Sequence, residues 1–235
     1  VEHEVGFQHP LSGRSVKAVL FDLDGTLVDS APDIAFALNH VMTREGLPAH
    51  SVDVVRTLIG EGIHRLVEKA YALHHRSPGL EDLNARTADF AALYEANIAN
   101  ETRPYAGVLA GLDMLKQRDI KTAVVSNKAH HLTERLLREV QLFDRLDVVV
   151  GAKDTMPKKP APDMLHFAMG ELNVRADETI FVGDSIADVR AAAAAQLPCL
   201  LIDGGYTMDP AARLGAWKTV SNFEKFVNLF AKVEA

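Results

Sequence analysis

Val16-Lys17-Ala18-Val19-Leu20-Phe21-Asp22-Leu23-Asp24-Gly25-Thr26 joins a strand-like apolar run to two carboxylates and a turn. Carboxylates two residues apart on a strand point to the same side, where they repel unless a cation or a proton lies between them. Gly25-Thr26 offers backbone N–H groups in a tight turn, which suits an anionic oxygen ligand. The segment therefore reads as a nucleophile, a second acid and an anion cradle at the end of a buried strand. The competing reading is an acidic turn that merely closes the strand.

Bulk properties narrow the classes. The chain has 235 residues, 48% hydrophobic and 24% charged, enough for one sizeable domain or a domain with a smaller insert. A formal net charge of −7 argues against nucleic acid or an anionic membrane as main partner, but leaves room for a small anionic substrate. The single cysteine, Cys199, forms no intrachain disulfide and fits a reducing compartment. No apolar stretch reaches the length of a membrane span, since Pro198 and Asp203 interrupt the Ala191–Ile202 region. Val1–Ser15 has no apolar segment of the secretory type, so residues 1–15 are expected to be a tail and the protein cytoplasmic.

Five short apolar runs are expected to be strands: Lys17–Phe21, Thr122–Ser126, Asp147–Val150, Thr179–Val182 and Cys199–Ile202. Helical patterning follows each, near Leu109–Arg118, His130–Val140, Pro162–Leu172, Ile186–Ala195 and Asn222–Val233. Such alternation implies an α/β fold, a mostly parallel sheet covered on both faces, with ligands beyond the carboxyl ends of the strands. One gap breaks the pattern. Between Ser30 and Arg103 the spacing is helical throughout (Asp33–Glu45, Val52–Leu58, Ile63–His74, Leu83–Ile98), divided at Gly46-Leu47-Pro48, Gly60-Glu61-Gly62 and Ser77-Pro78-Gly79. About seventy residues of helix inside an alternating domain are best explained as an inserted all-helical cap. The expected division is a core of residues 16–28 and 105–235, with the cap at 29–104. Phe36, Leu38, Phe90 and Leu93 are expected to pack the cap, and Trp217, Phe223, Phe226 and Phe230 to dock a final helix.

The strand ends are polar. Ser126-Asn127 closes the second strand with a hydroxyl and an amide, able to hold a phosphate oxygen or simply to cap the next helix. Lys158-Lys159-Pro160-Ala161-Pro162 stiffens the approach to a helix and can aim one ammonium inward. Gly183-Asp184-Ser185-Ile186-Ala187-Asp188 places two carboxylates at i, i+4 on one side of a helix start. That pairing suits a hard divalent cation such as Mg²⁺ better than the helix dipole alone explains it. Together these groups describe phosphoryl transfer. The ten histidines are scattered, and no zinc site is inferred.

These four motifs, in this order from Val16 to about Tyr206, resemble those of the haloacid dehalogenase-like hydrolase superfamily, above all its phosphoglycolate phosphatase-like branch. The resemblance implies a doubly wound, five-stranded Rossmann-like sheet of order 3-2-1-4-5. It implies that Asp22 is the nucleophile, forming an aspartyl-phosphate, and that Asp24 protonates the leaving group and then activates water. Gly25, Thr26, Ser126, Asn127 and Lys159 would hold the phosphoryl group, with Lys159 rather than Lys158 as the family lysine. Asp22 and Asp184 would ligate Mg²⁺, Asp24 through its backbone carbonyl and Asp188 through water. Asp24 itself favours phosphorus over carbon as the point of attack, because dehalogenase members lack an acid there. Two departures stand out: Gln196 occupies a position where relatives place glycine, and Leu201–Tyr206 differs from the commoner Gly-Val-containing form. Neither is expected to touch a catalytic position.

The implied activity is Mg²⁺-dependent hydrolysis of a small phosphorylated metabolite, 2-phosphoglycolate first. A sugar-phosphate phosphatase or a β-phosphoglucomutase-like enzyme is the alternative, and an inactive phosphate-binding regulatory module is the non-enzyme alternative. Specificity is expected from the cap turn Gly60-Glu61-Gly62 together with His64 or Arg65; a sugar would suit Asn97 or Glu61. Oligomeric state is left open.

Overall fold

The computed structural model describes residues 8–10, 12–206 and 214–231. Strand β1 (Ala18–Phe21) runs up the middle of the molecule and ends where the two carboxylates begin. A two-residue strand β2 (Val28–Asp29) follows, then helices α1 (Ala31–Arg44), α2 (Val52–Arg56), α3 (Ile63–Ala72) and α4 (Leu80–Ala96). Strand β3 (Arg103–Pro104) closes this helical insert by pairing antiparallel with β2, Val28 against Pro104 and Asp29 against Arg103. The alternating part then resumes with α5 (Val108–Gln117), β4 (Lys121–Ala129), α6 (His130–Glu139), β5 (Val148–Ala152), α7 (Asp163–Leu172), β6 (Thr179–Gly183), α8 (Ile186–Ala194), β7 (Cys199–Ile202), β8 (Lys218–Val220) and α9 (Phe223–Ala231).

The large sheet has the order β5-β4-β1-β6-β7-β8, parallel at every pairing. Its first five strands follow the expected order 3-2-1-4-5, and β8 adds a sixth at the edge. Three residues, two of them the polar Lys218 and Thr219, carry too little apolar signal to be seen as a strand in sequence. Alternation along the strands sorts side chains to two cores. Val19, Phe21, Val124, Ile180 and Val182 join the core under α5, α6 and α9, which is continuous with the insert. Ala18, Leu20, Ala123, Val125 and Phe181 join the core under α7 and α8.

Three expectations are corrected. Phe36 is 54% exposed, because the buried stripe of α1 runs through Ile34, Leu38, Val41 and Met42 and leaves Phe36 out of phase. Leu38 and Phe90 are fully buried and Leu93 packs against them. Trp217 lies half open before edge strand β8, with Lys218 Nζ 5.8 Å from its ring centroid. Phe223, Phe226 and Phe230 do dock α9, Phe21 lying 5.6 Å from Phe226 edge to face. The last part of the expected terminal helix lies outside the described residues.

The expected tail is the third case. From Gln8 it folds back on the core: His9 is buried with Nε2 3.0 Å from the Thr179 carbonyl, and Ser12 Oγ donates to the Asp177 carbonyl. These groups engage peptide oxygens where β6 begins, a contact no local pattern announces. Among the described residues no helix is long and apolar enough to cross a membrane.

Candidate active site

Parallel strands end on a common edge, and here the register brings four motifs together. Phe21 lies between Val124 of β4 and Val182 of β6, so Asp22, Ser126 and Asp184 all emerge at that edge. The Asp22 amide continues the ladder by donating to the Val182 carbonyl at 2.9 Å. The edge opens into a cavity of about 280 Å³ roofed by the insert, bordered by Asp22, Asp24, Ser126, Lys128, Lys159 and Asp184 among others.

Asp22, Asp184 and Asp188 each offer a carboxylate oxygen within 4.8 Å of the others. An ammonium faces two of them. Lys159 Nζ lies 2.7 Å from Asp22 Oδ1 and 2.7 Å from Asp188 Oδ1. Burial pushes Asp22 up to about 7, with Lys159 opposing and Asp188 assisting the rise. Burial and the neighbouring Asp188 and Asp22 raise Asp184 as well. Burial pulls the Lys159 ammonium down, but Asp188 and Asp22 outweigh it and hold the group well above the ordinary lysine range. Three carboxylates, Asp184 and Asp188 buried and Asp22 half-buried, against one lysine leave a surplus of negative charge, and an all-oxygen donor set is what a hard divalent cation requires.

Each member is held by its local structure. Asp188 closes a capping box at the start of α8: Ser185 Oγ donates to Asp188 Oδ2 at 2.6 Å and accepts from the Asp188 amide. With Lys159 on its other oxygen, Asp188 is engaged on both sides. Asp184 accepts from Thr26 Oγ1 at 3.2 Å and from the Tyr206 amide at 2.6 Å. Gly25 is required here by close approach, since a Cβ on it would lie 2.4 Å from Asp184 Oδ2. Lys159 is presented by Asn127, whose Oδ1 accepts from the Lys159 amide and whose Nδ2 donates to the Lys159 and Gly60 carbonyls, all at 2.9 Å.

These contacts revise several expectations. Asp22 and Asp24 lie just past the strand, not on it. The Gly25 and Thr26 amides are spent on the turn itself, donating to the Val28 and Leu23 carbonyls, and the Thr26 hydroxyl orients Asp184. The Asn127 side chain pins two loops together, and the residue borders the cavity. Ser126 is buried and bordering the cavity, and α6 takes Ala129 rather than a hydroxyl at its N-cap. Lys158 is exposed, as the preference for Lys159 anticipated.

In the insert, Gly60, Glu61 and Gly62 border the cavity, whereas His64 and Arg65 do not. Helix α3 begins at Ile63, and its inward stripe passes through Ile63, Leu66 and Ala70; the two intervening residues are rotated to solvent. Arg65 pairs with Glu61 and Glu68 on that outer face. Lys69 borders the cavity instead and pairs with Glu61. Asn97 caps the end of α4, its amide donating to the Leu93 carbonyl, and does not border the cavity.

The residues missed in sequence surround Asp24. Lys128 Nζ donates to Asp24 Oδ1 and Oδ2 at 2.6 and 2.8 Å and to Tyr94 Oη, in the insert, at 2.9 Å. Ser30 Oγ donates to Asp24 Oδ1 at 2.5 Å. Burial pushes the Tyr94 phenol up to about 12, while Asp24 and Tyr94 overcome the effect of burial on Lys128 and raise it. Lys128 stands next to the Ser126-Asn127 pair, and carrying the second strand two residues further would have found it. Ser30, Tyr94 and Tyr206 had no local signal. The segment Leu201–Tyr206, expected to touch no catalytic position, reaches the acidic cluster, since the Tyr206 amide donates to Asp184.

Comparison with known proteins gives the same picture. A family model described as haloacid dehalogenase-like hydrolase matches residues 19–202. The phosphoglycolate phosphatase of Nitrosococcus oceani is 37% identical over 195 residues, covering 82% of this chain and 86% of that one. That of Caulobacter vibrioides is 36% identical over 217 residues, covering 92% and 90%. The crystal structure of a predicted phosphoglycolate phosphatase from Haemophilus somnus superposes with a TM-score of 0.84 at 27% identity, covering 91% of this chain and 97% of that one. With its acidic cluster at the sheet edge, its inward lysine and the matched span running from β1 to β7, the chain belongs to the haloacid dehalogenase-like hydrolase family.

Proposed function

We propose that this phosphatase hydrolyses a small, acidic phosphate monoester, 2-phosphoglycolate first, by way of a phosphoryl group carried on Asp22. The observation that carries the reading is Lys159 Nζ seated 2.7 Å from Asp22 Oδ1 at the floor of a roofed cavity. A carboxylate attacks phosphorus only where the repulsion between two anions is cancelled, and Lys159 supplies one part of that cancellation.

Mg²⁺ fits the donor set, held by Asp22 and Asp184 with the Asp24 backbone carbonyl; when bound it offsets charge on the transferring oxygens. Asp188, already engaged by Lys159 and Ser185, orients this set. Asp22 attacks phosphorus, the bond from phosphorus to the ester oxygen breaks, and Asp24 gives a proton to the departing alkoxide. Asp24 then takes a proton from water, which attacks the same phosphorus; the bond to Asp22 breaks and phosphate leaves. Ser126 donates to a phosphoryl oxygen throughout.

The helical insert acts as the cap, residues 29–104 over a core of 16–28 and 105–235. It keeps bulk water from the acyl phosphate. Its walls supply Ile34, Ile59, Ile63, Leu66 and Phe90, which offer little to sugar hydroxyls, while Lys69 at the cavity border can turn from Glu61 to a second anionic group. The relatives named as phosphoglycolate phosphatases support that choice.

The test is phosphate release from a panel of phosphorylated acids and sugar phosphates, with and without Mg²⁺ and without any bisphosphate activator. Phosphoglycolate should be preferred, and Asp22→Asn should abolish turnover while leaving the circular dichroism spectrum unchanged. Dependence on a bisphosphate would favour a mutase. Activity retained in Asp22→Asn would remove the nucleophile, and no turnover of any monoester would leave the inactive binding module.

A further inference from the structure

We propose that Tyr206 is a positioning residue that couples the Asp184 end of the acidic cluster to the point where the helical insert begins. The inference rests on Asp184 being a cation ligand. Tyr206 is buried and uses both its ends. Its amide donates to Asp184 Oδ2 at 2.6 Å. Its phenol oxygen accepts from the amides of Ser30 at 2.7 Å and Ala31 at 3.0 Å, and donates to Asp29 Oδ1 at 2.9 Å. One donated and two accepted bonds exhaust what a phenol can do, so the group is fully committed to this junction.

The junction needs it. The first amides of a helix have no partner within the helix, and a serine at the N-cap normally supplies its own hydroxyl to them. Ser30 is the N-cap of α1 but makes no side-chain cap bond; its hydroxyl is turned to Asp24. Tyr206 caps α1 instead, from the loop that follows β7. Asp29, its third partner, belongs to the two-stranded hinge and also receives Arg56 Nη2 of α2 at 2.7 Å. At the other end the loop is pressed on the acidic cluster, since a Cβ on Gly205 would lie 2.3 Å from Asp184 Cβ. A shift of the Asp184 carboxylate therefore reaches the start of α1 through one residue, and through Ser30 reaches Asp24.

The amides of Ser30 and Ala31 report on this link directly. Hydrogen exchange over residues 29–34 would be followed by mass spectrometry with and without Mg²⁺ in the wild-type protein, Tyr206→Phe and Ser30→Ala, with Mg²⁺ affinity measured by calorimetry. Tyr206→Phe keeps the ring and the amide on Asp184 and removes only the phenol. In the wild type, Mg²⁺ should slow exchange at these amides by about tenfold. In Tyr206→Phe, Mg²⁺ should bind within about threefold of wild type and no longer alter exchange there. Ser30→Ala keeps both amides on the phenol and should keep the response, which general loosening of the α1 start would remove. Persistence of the response in Tyr206→Phe overturns the inference, as does its absence from the wild type when Mg²⁺ binding is lost in Asp184→Asn. Mg²⁺ binding that survives Asp184→Asn overturns the cation reading itself, and the inference falls with it.

Discussion

Lys128 reaches Asp24 with a two-pronged ion pair, Nζ to both carboxylate oxygens, while the same ammonium donates to Tyr94 of the insert. The proposed acid–base group is therefore linked to the helical insert through one side chain. Lys128→Met removes the charge at nearly constant length and leaves Asp24 and Tyr94 without it. Breaking a buried pair from one side costs about 3–5 kcal/mol, so a large fall in the denaturant midpoint is expected. Tyr94→Phe removes one hydrogen bond and should cost about 1 kcal/mol. Equal losses in the two variants, measured by urea unfolding, would contradict this division.

Lys159 faces Asp22 and Asp188 together, and Lys159→Ala should bring phosphate release to background. It leaves three carboxylates unopposed, so the cation-free protein should lose about 3 kcal/mol or more of stability. Saturating Mg²⁺ should restore part of that loss, seen as a larger Mg²⁺-induced rise in Tm than in the wild type.

The raised Asp22 sets a pH dependence with a definite sign. A carboxyl whose folded value exceeds its unfolded value binds protons more readily when folded. Its contribution to stability is present below the ordinary carboxylate range and is lost as pH rises towards about 7. Mg²⁺ must displace that proton, so Mg²⁺ affinity should climb between pH 5.5 and about 7 and then level. Calorimetry in buffers of different ionisation enthalpy should show proton release that fades above this range; pH-independent affinity would refute the assignment.

On the helical insert, Lys69 borders the cavity while His64 and Arg65 face outwards. His64→Ala and Arg65→Ala should leave kcat/KM for phosphoglycolate within about twofold, and Lys69→Ala should lower it about tenfold, mainly through KM. The ranking of the three variants is the measurement that matters.

Gln196 ends α8 with φ +60, its amide donating to the Ala193 carbonyl and that of Leu197 to the Ala192 carbonyl. This is the hydrogen-bond pattern that glycine ordinarily serves, and a side chain in the left-handed region carries strain. Gln196→Gly is expected to stabilise the protein by about 0.5–1 kcal/mol without altering activity, read from thermal unfolding.

The sequence by itself determined five of the sheet's strands, the helices of the core, their succession along the chain and the four motifs at the strand ends. These follow from local patterns: period-two burial, helical spacing, breakers, and carboxylates placed where strands stop. Asp22, Lys159 and Asp184 were legible because each follows a strand, and Ser126 because the apolar run of β4 stops at it; parallel strands bring such positions to one edge. The role of their neighbours was decided only in three dimensions. Thr26 and Asn127 look like ligand groups in sequence, but their hydrogen bonds go to Asp184 and to the Lys159 and Gly60 loops. Lys128 finds Asp24 across 104 residues and Tyr206 finds Ser30 across 176. Partners that far apart leave no periodicity to read, because what pairs them is the sheet register and the closing of the insert over it.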